Sequence, residues 1–456
     1  MAEDLYVLPA SHGQEWMWLV HHVQRGQRPY HVGAALRIRG PVDAAALRTG
    51  ANLLVERHES LRTTFRLEPS GVLNQIVCSA EAVDLPIVEL PGEPAADGRA
   101  SGAAVSAWVT EFSDRPFDLA RGPLIRAALA RLGPDDHVLT LVAHHVAADG
   151  WSMSILLDEL GAIYRELVGG GVPDLPEPDL QYADFAAWQR EWLGSGVMER
   201  QLDYWRDRLA GAPVLRLPPD PPESCGASAA HPIRLTPDRT AALGRLAREE
   251  RATLFVVVLS ALAAALVRWT GQDDIVVCTP VAGRPRPELD ATVGLFAGTL
   301  PLRVDASGDP DFRALVRRAR DGCFEAYDHQ DVPFDKIVAA VEPDRSRRGV
   351  PLSPVMISLR TQWTPSFDQI PGAAVELVEE PPITGGFDIF AELAEDPGGG
   401  LYGYLVGDPA KYRPETVAAL GGAFCDVLAH VGRDRGVPLS RLPLPSLTSP
   451  AAASGS

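Results

Sequence analysis

The sequence predicts an α/β protein (an α+β sandwich) of two lobes, and three observations carry that expectation. Apolar residues alternate with period two in some short stretches and recur at helical spacing in others. The two patterns interleave along the chain without the βαβ regularity of a nucleotide-binding fold. A chain of 456 residues exceeds what one ordinary core organises, so two domains are expected. The run from Gly169-Gly170-Gly171-Val172-Pro173 to Pro178 interrupts every pattern and sets the expected boundary. Residues 1–175 then form the first lobe and 176–447 the second. The stretch 448–456, rich in Ala and Ser, is a tail that cannot build a core.

Taken in order, Ser11 to Val23 reads as an opening helix with Trp16, Leu19 and Val20 on its buried side. Val32 to Ile38 alternates as a strand, and Asp43 to His58 comes next as an amphipathic helix entered through the Pro41-Val42-Asp43 turn. Leu61 to Phe65 and Leu73 to Val77 read as strands joined at Pro69-Ser70-Gly71. Gly92 to Gly102 is a surface loop by composition. Leu124 to Arg131 and His137 to Val142 form a hairpin around Gly133-Pro134-Asp135-Asp136, and Met153 to Leu167 is helical. In the second lobe a long helix is expected from Pro237 past Arg268, a strand over Ile275 to Thr279 and a helix over Phe312 to Tyr327. Further strands are expected at Val355 to Leu359, Ala374 to Glu379, Phe387 to Glu392 and Leu401 to Val406, with a last helix over Pro414 to Val431.

Composition narrows the function classes. Hydrophobic residues make up 46% and charged residues 22%, a globular balance. The net charge of −18 argues against nucleic acid as a partner. Cys78, Cys225, Cys278, Cys323 and Cys425 show no CxxC or Cys/His ligand spacing. Neither a disulfide framework nor a metal is therefore expected, and a reducing cytoplasm fits. The start, Met1-Ala2-Glu3-Asp4-Leu5, lacks the basic and apolar regions of a secretion signal. The longest apolar run, Phe255 to Val267, is too short to span a bilayer and reads as a buried helix, so no membrane partner is expected.

The candidate site is Ala143-His144-His145-Val146-Ala147-Ala148-Asp149-Gly150-Trp151-Ser152. It puts two histidines where an apolar strand stops ahead of a helix, a position from which a rigid scaffold presents side chains. Imidazole takes and returns a proton near neutral pH. Asp149 can orient an imidazole or anchor the turn through an arginine, and Gly150 lets a backbone or thin substrate arm come close. A histidine at a strand end is also commonly structural. The pair His21-His22, in a helical stretch with no acid or Asp-Gly turn after it, has that plainer reading.

Seven stretches together resemble the condensation domains of nonribosomal peptide synthetases, across nearly the whole chain. In order they are Ser11 to Leu19, Arg57 to Phe65, His144 to Gly150 (an HHxxxDG signature), Tyr182 to Trp188, Val293 to Arg303, His329 to Asp335, and Asp344 to Arg347 with Pro351-Leu352. Each is weak alone; seven in the family's order are specific.

The resemblance implies two chloramphenicol-acetyltransferase-like lobes in a V shape, with the active site in a tunnel between them. A donor carrier protein brings an acyl, aminoacyl or peptidyl thioester on its phosphopantetheine arm. The acceptor is a second carrier's amine or a free small-molecule amine or alcohol, giving an amide or ester. No bound cofactor or metal is implied; the phosphopantetheine arm enters as substrate. His145 takes the position of the family's catalytic histidine, as general base or positioning group, and His144 supports it. Asp149 is expected to face away from substrate and to pair with Arg62. Gly150 offers backbone to the pantetheine or the thioester, and Trp151, Gly298 and Ser353 are the substrate-binding positions implied. Trp16, Tyr182, Phe185 and Trp188 are expected to fill apolar faces. Asp331, Pro333 and Phe334 set a turn, and 294–299 and 381–387 bridge the lobes. Gly298 and Pro354 depart from the family's usual Asn and polar residue, which puts acceptor type in question. The chain holds one condensation unit, which reads as a discrete enzyme meeting carriers in trans, with a domain of a larger synthetase as the alternative. Two other functions share this pattern: an epimerisation relative, for which no base carboxylate is identified, and a non-catalytic module that recruits carrier proteins or an oxygenase.

Overall fold

The structure is a computed structural model that describes residues 4–23, 30–90, 100–226, 229–341, 352–360, 370, 372–378, 384–432 and 434–442. Residues 92–99 of the loop expected over 92–102, the stretch 344–347 with Pro351, the start of the expected bridge at 381–383 and the tail after 447 lie outside the described residues, and the loop's last three expected residues are instead the start of a helix, Ala100–Asp114. The chain forms two compact units. The first contains Met1–Gly196, Ala282–Ala297 and Trp363–Glu380; the second contains Val197–Val281, Gly298–Gln362 and Pro381–Ser456. The first unit thus extends past residue 175, the expected lobe end.

In the first unit, β1 (Asp4–Pro9), β3 (Thr63–Leu67) and β4 (Leu73–Cys78) make a small antiparallel sheet in the order β1-β4-β3. The main sheet contains β2 (His31–Arg39), β5 (Ile87–Glu89), β6 (Ile125–Gly133) and β7 (Asp136–His144), and it also takes in a strand from far along the chain, Ala374–Leu377. Helices α2 (Ala44–Arg57) and α4 (Gly150–Val168) bury Leu47, Leu54, Leu156 and Leu160 in one apolar cluster with Leu36, Leu139 and Leu141. Helix α3 (Ala100–Asp114) contributes Val105, Trp108 and Phe112 to a second cluster with Ala128, Val138 and Val142. Neighbouring β7 residues thus alternate between the two clusters, the period-two signature of a strand. Nearly all of β7 is buried, so the strand is a rigid base for the turn at its end.

Helix α1 (His12–Val23) departs from expectation. It buries Gln14, Met17 and Val20, while Trp16 and Leu19 are exposed at 42% and 47%. The buried stripe recurs every third residue, so Trp16 and Leu19 fall on the opposite side. Tyr182 and Phe185 of α5 (Tyr182–Trp192) are buried as expected.

The second unit has α6 (Met198–Arg208), α7 (Pro237–Glu249), α8 (Leu254–Thr270), α9 (Phe312–Tyr327), α10 (Phe334–Val341) and α11 (Pro414–Val431). Its strands are β8 (Ala229–Leu235), β9 (Asp274–Val281), β10 (Gly298–Asp305), β11 (Val355–Arg360), β13 (Ile389–Glu395) and β14 (Leu401–Gly407), in the order β10-β9-β11-β13-β14-β8. The expected long helix from Pro237 is two helices bent by 102°. Arg251 adopts a positive φ of 54°, and the Thr253 hydroxyl accepts from Val256 N–H. A capped helix therefore restarts inside a stretch whose apolar spacing alone reads as one helix. The strand expected among those of the second lobe at Ala374 to Glu379 is β12 (Ala374–Leu377), and it pairs with β2 of the first unit's sheet. The pairing is supported by Arg39–Glu376 at 2.7 Å and by Val375 against the first unit's core. No single helix among the described residues is long and apolar enough to cross a membrane.

Candidate active site

The site is a turn between β7 and α4. It begins where β7 ends at His144 and closes where Asp149 caps α4. The Asp149 side chain is buried and both oxygens are fully engaged. Oδ1 accepts from Ser152 N–H and Ser152 Oγ, each at 2.8 Å. Oδ2 accepts from the backbone N–H groups of Phe296 and Ala297, at 3.0 and 3.1 Å. The carboxylate therefore caps a helix and fastens the 282–297 segment to it.

The cation beside Asp149 is Arg284, with Nη2 3.6 Å from Oδ1, and not Arg62. The Arg284 guanidinium donates to Thr292 O at 2.8 Å, to Leu289 O and to Ser152 Oγ at 3.1 Å. It lies over the Phe296 ring, 4.0 Å from its centroid. Burial pulls its pKa down, and the Asp149 carboxylate opposes that. Arg62 sits on the short turn Glu59–Arg62 that leads into β3. It donates to Cys78 O at the end of β4 and has Glu59 3.7 Å away. The expected Asp149–Arg62 pair is corrected accordingly.

Gly294, beside this junction, has room for nothing larger: a Cβ there would lie 1.9 Å from the Tyr182 ring. Tyr182 donates to Leu295 O at 2.6 Å and, with its proton so used, accepts from Ser11 Oγ at 2.8 Å. Parts of four separate sequence stretches thus meet behind the histidine turn.

The two histidines have opposite environments. His144 is fully buried. Val146 N–H donates to its Nδ1 at 3.0 Å, so Nδ1 carries a lone pair and the proton sits on Nε2. That Nε2–H points at His21 Nδ1, 3.1 Å away. Burial, then the neighbouring His31 and His21, push the His144 pKa down to about 2, so the ring is neutral. His145 is half-buried, and its Nδ1 lies 2.9 Å from Ala148 O. A carbonyl only accepts, so Nδ1 holds the proton and Nε2 holds a lone pair. The second histidine has the tautomer of a base; the first is a strut.

Gly150 opens α4, where its N–H has no intrahelical acceptor, and a Cβ on it would meet nothing within 4 Å. Trp151 is 48% exposed and donates through Nε1 to Asp290 O at 3.0 Å. Gly298 begins β10 opposite Val281 in the second unit. Ser353 is fully buried; its hydroxyl donates to Val276 O at 2.6 Å and accepts from Val355 N–H at 3.1 Å. The hydroxyl of Ser353, expected as a substrate-binding position, is thus engaged inside the fold. Asp331 exchanges hydrogen bonds with Gln201 on α6, in keeping with a turn. Among the described residues no group of three His, Cys, Asp or Glu side chains is arranged to hold a metal ion.

Sequence reasoning missed three contributors: Arg284, the Ser152 hydroxyl and His21. Arg284 lies in a Gly-Arg-Pro-Arg-Pro stretch far from Asp149, and no local spacing points to it. His21 had a signal, one helical face shared with Met17 and Gln14, but that pattern reads equally as surface.

These features meet in a known family. The Condensation domain model matches residues 5–440, and the chain belongs to that family of nonribosomal peptide biosynthesis. A linear gramicidin synthase of Brevibacillus parabrevis is 38% identical over 445 residues, which is 96% of this chain and 6% of that protein. The chain thus spans a small part of such relatives. Among solved structures, the X-domain from teicoplanin biosynthesis superposes with a TM-score of 0.82 at 27% identity, covering 96% of this chain and 97% of that one. That X-domain is also known in complex with OxyB. SgcC5 from Streptomyces globisporus gives 0.78 at 28% identity, covering 94% and 100%. The expected α/β fold of the family's chloramphenicol-acetyltransferase-like type is met.

Proposed function

We propose that this domain catalyses acyl transfer from a carrier-bound phosphopantetheine thioester to an amine or alcohol, with His145 as base. The observation that carries the reading is the His145 tautomer: the Ala148 carbonyl holds Nδ1–H and leaves Nε2 able to accept a proton. As the acceptor nitrogen or oxygen adds to the thioester carbonyl, Nε2 takes its proton. The tetrahedral intermediate then expels sulfur, the C–S bond breaks, and the imidazolium returns the proton to the thiolate. Amide or ester and free pantetheine thiol are the products, without a bound cofactor or metal. Asp149 and Arg284 hold the turn and stay out of the chemistry. Donor and acceptor carrier proteins, or a small free acceptor, are the partners, in the cytoplasm.

A second reading is a recruitment module, favoured by the likeness to an X-domain solved with OxyB. One experiment separates the two. Wild type and His145→Ala are incubated with an aminoacyl carrier thioester and a panel of amines and alcohols, product is read by mass spectrometry, and circular dichroism verifies folding. Acyl transfer predicts product in wild type that falls by about 10²–10⁴-fold in the mutant. Equal product from both proteins would remove His145 from the mechanism. No product from a wild type that binds partner tightly would favour recruitment.

A further inference from the structure

We propose that His21, on α1, is a positioning residue for the catalytic turn and acts through His144; the inference rests on His145 being the base. The geometry allows one proton arrangement. Val146 N–H already donates to His144 Nδ1 at 3.0 Å, so His144 is an Nε2–H tautomer. Its proton then needs an acceptor, and His21 Nδ1 stands 3.1 Å away. His21 must therefore present Nδ1 unprotonated. The rings meet edge to face, with centroids 5.0 Å apart at 71°.

The chain of bonds continues to the base. His144 Nδ1 holds the Val146 amide, and Ala147 N–H donates back to His144 O at 2.9 Å. The next carbonyl, Ala148 O, orients the His145 ring. A ring that pins the middle of this turn thus sets where the base points. Without His21 the His144 N–H would be a buried donor with no partner, and the ring would be free to turn over and release Val146.

The surroundings of His144 favour its neutral ring. Among the described residues, the titratable and charged groups acting on His144 are His31 on β2, His21 on α1, His145 in the turn and Arg126 on β6, and His22 lies against His21. None of these is an acid. A proton on His21 Nδ1 would meet the His144 N–H head-on. His31 has its Nδ1 on Ser113 O and offers His144 no substitute acceptor through that nitrogen.

The test compares His21→Leu, which removes the acceptor, with His21→Asn, whose side-chain carbonyl replaces it near the position of Nδ1. His21→Leu is expected to lower kcat about tenfold or more with KM for both substrates within about twofold, because a displaced base slows chemistry more than binding. His21→Asn is expected to recover kcat to within about threefold of wild type. Both variants reacting like wild type, or Asn failing as badly as Leu while folded, would overturn the proposal. Imidazole ¹⁵N NMR reads the same point without turnover. His144 should be the Nε2–H tautomer in wild type and His21→Asn, and should lose that single form in His21→Leu. An unchanged His144 tautomer in His21→Leu would overturn the proposal even if the wild type made no product, an outcome that would count separately against acyl transfer.

Discussion

The histidine turn of the first unit and helix α8 of the second are both buried, yet they are held by opposite means. Within α8, twelve of seventeen residues are buried and all of those but Ser260 are apolar, so its stability comes from non-directional burial. The side chains that shape the turn have directed partners instead: Asp149 with four donors, His144 with two contacts, His145 with a carbonyl. Directed networks fail at one missing atom, whereas apolar packing degrades gradually. The largest expected effect is therefore at Asp149. Asp149→Asn turns an amide N–H toward either the Phe296 and Ala297 amides or the Ser152 donors, and leaves Arg284 without its counter-charge. It should cost about 3–5 kcal/mol in chemical denaturation, against less than about 1.5 kcal/mol for Leu262→Met in α8. A double-mutant cycle sharpens this: Asp149→Asn should couple to Arg284→Met and not, beyond about 0.5 kcal/mol, to Arg62→Met. Coupling to Arg62 would reverse the assignment made from the geometry.

The second contrast is in pH. Burial of His31, against its bond to Ser113, pushes that ring's pKa down to about 4, and His144 is lower still at about 2. Unfolded histidine titrates near 6.5. Below that value the unfolded chain binds protons that the folded first unit refuses, so stability falls as pH drops. The contribution is fully present above about 6.5 and is lost from there down to the folded pKa values, by up to about 1.4 kcal/mol per pH unit for each ring. Helix α8 holds no histidine or carboxylate. Hydrogen exchange between pH 7 and 5 should therefore open the turn before α8. Equal protection in both would show that the rings are solvated.

The same contrast explains what the sequence disclosed. Helix α8, the alternation of β7 and the last helix were legible because burial repeats at a fixed period, and the ends of α9 and α11 matched to the residue. His144, His145, Asp149 and Gly150 were legible because they are contiguous. The partners were not. Arg284 and the Phe296 and Ala297 amides reach Asp149 from a distant segment, and Arg62 was the nearer basic residue in a motif but lies against Glu59 and Cys78. The break at Thr253 was hidden because apolar spacing resumed at once on its far side. Periodicity records which face is buried and is silent on which donor meets which acceptor.

Gly150 gives the smallest effect on stability and the sharpest separation of turn from chemistry. It is the one exposed residue of the run from His144 to Gly150, and no atom lies within 4 Å of a Cβ built on it. Gly150→Ala at the first position of α4 should leave thermal stability unchanged or raise it slightly, since alanine is the better helix former by up to about 1 kcal/mol. If the thioester arm lies against this backbone, the added methyl group should nevertheless lower product formation by about tenfold. Full activity in Gly150→Ala would mean the arm passes elsewhere and that the glycine serves only the turn. A loss of activity with intact melting would place substrate against the exposed end of a turn whose other polar groups are already taken.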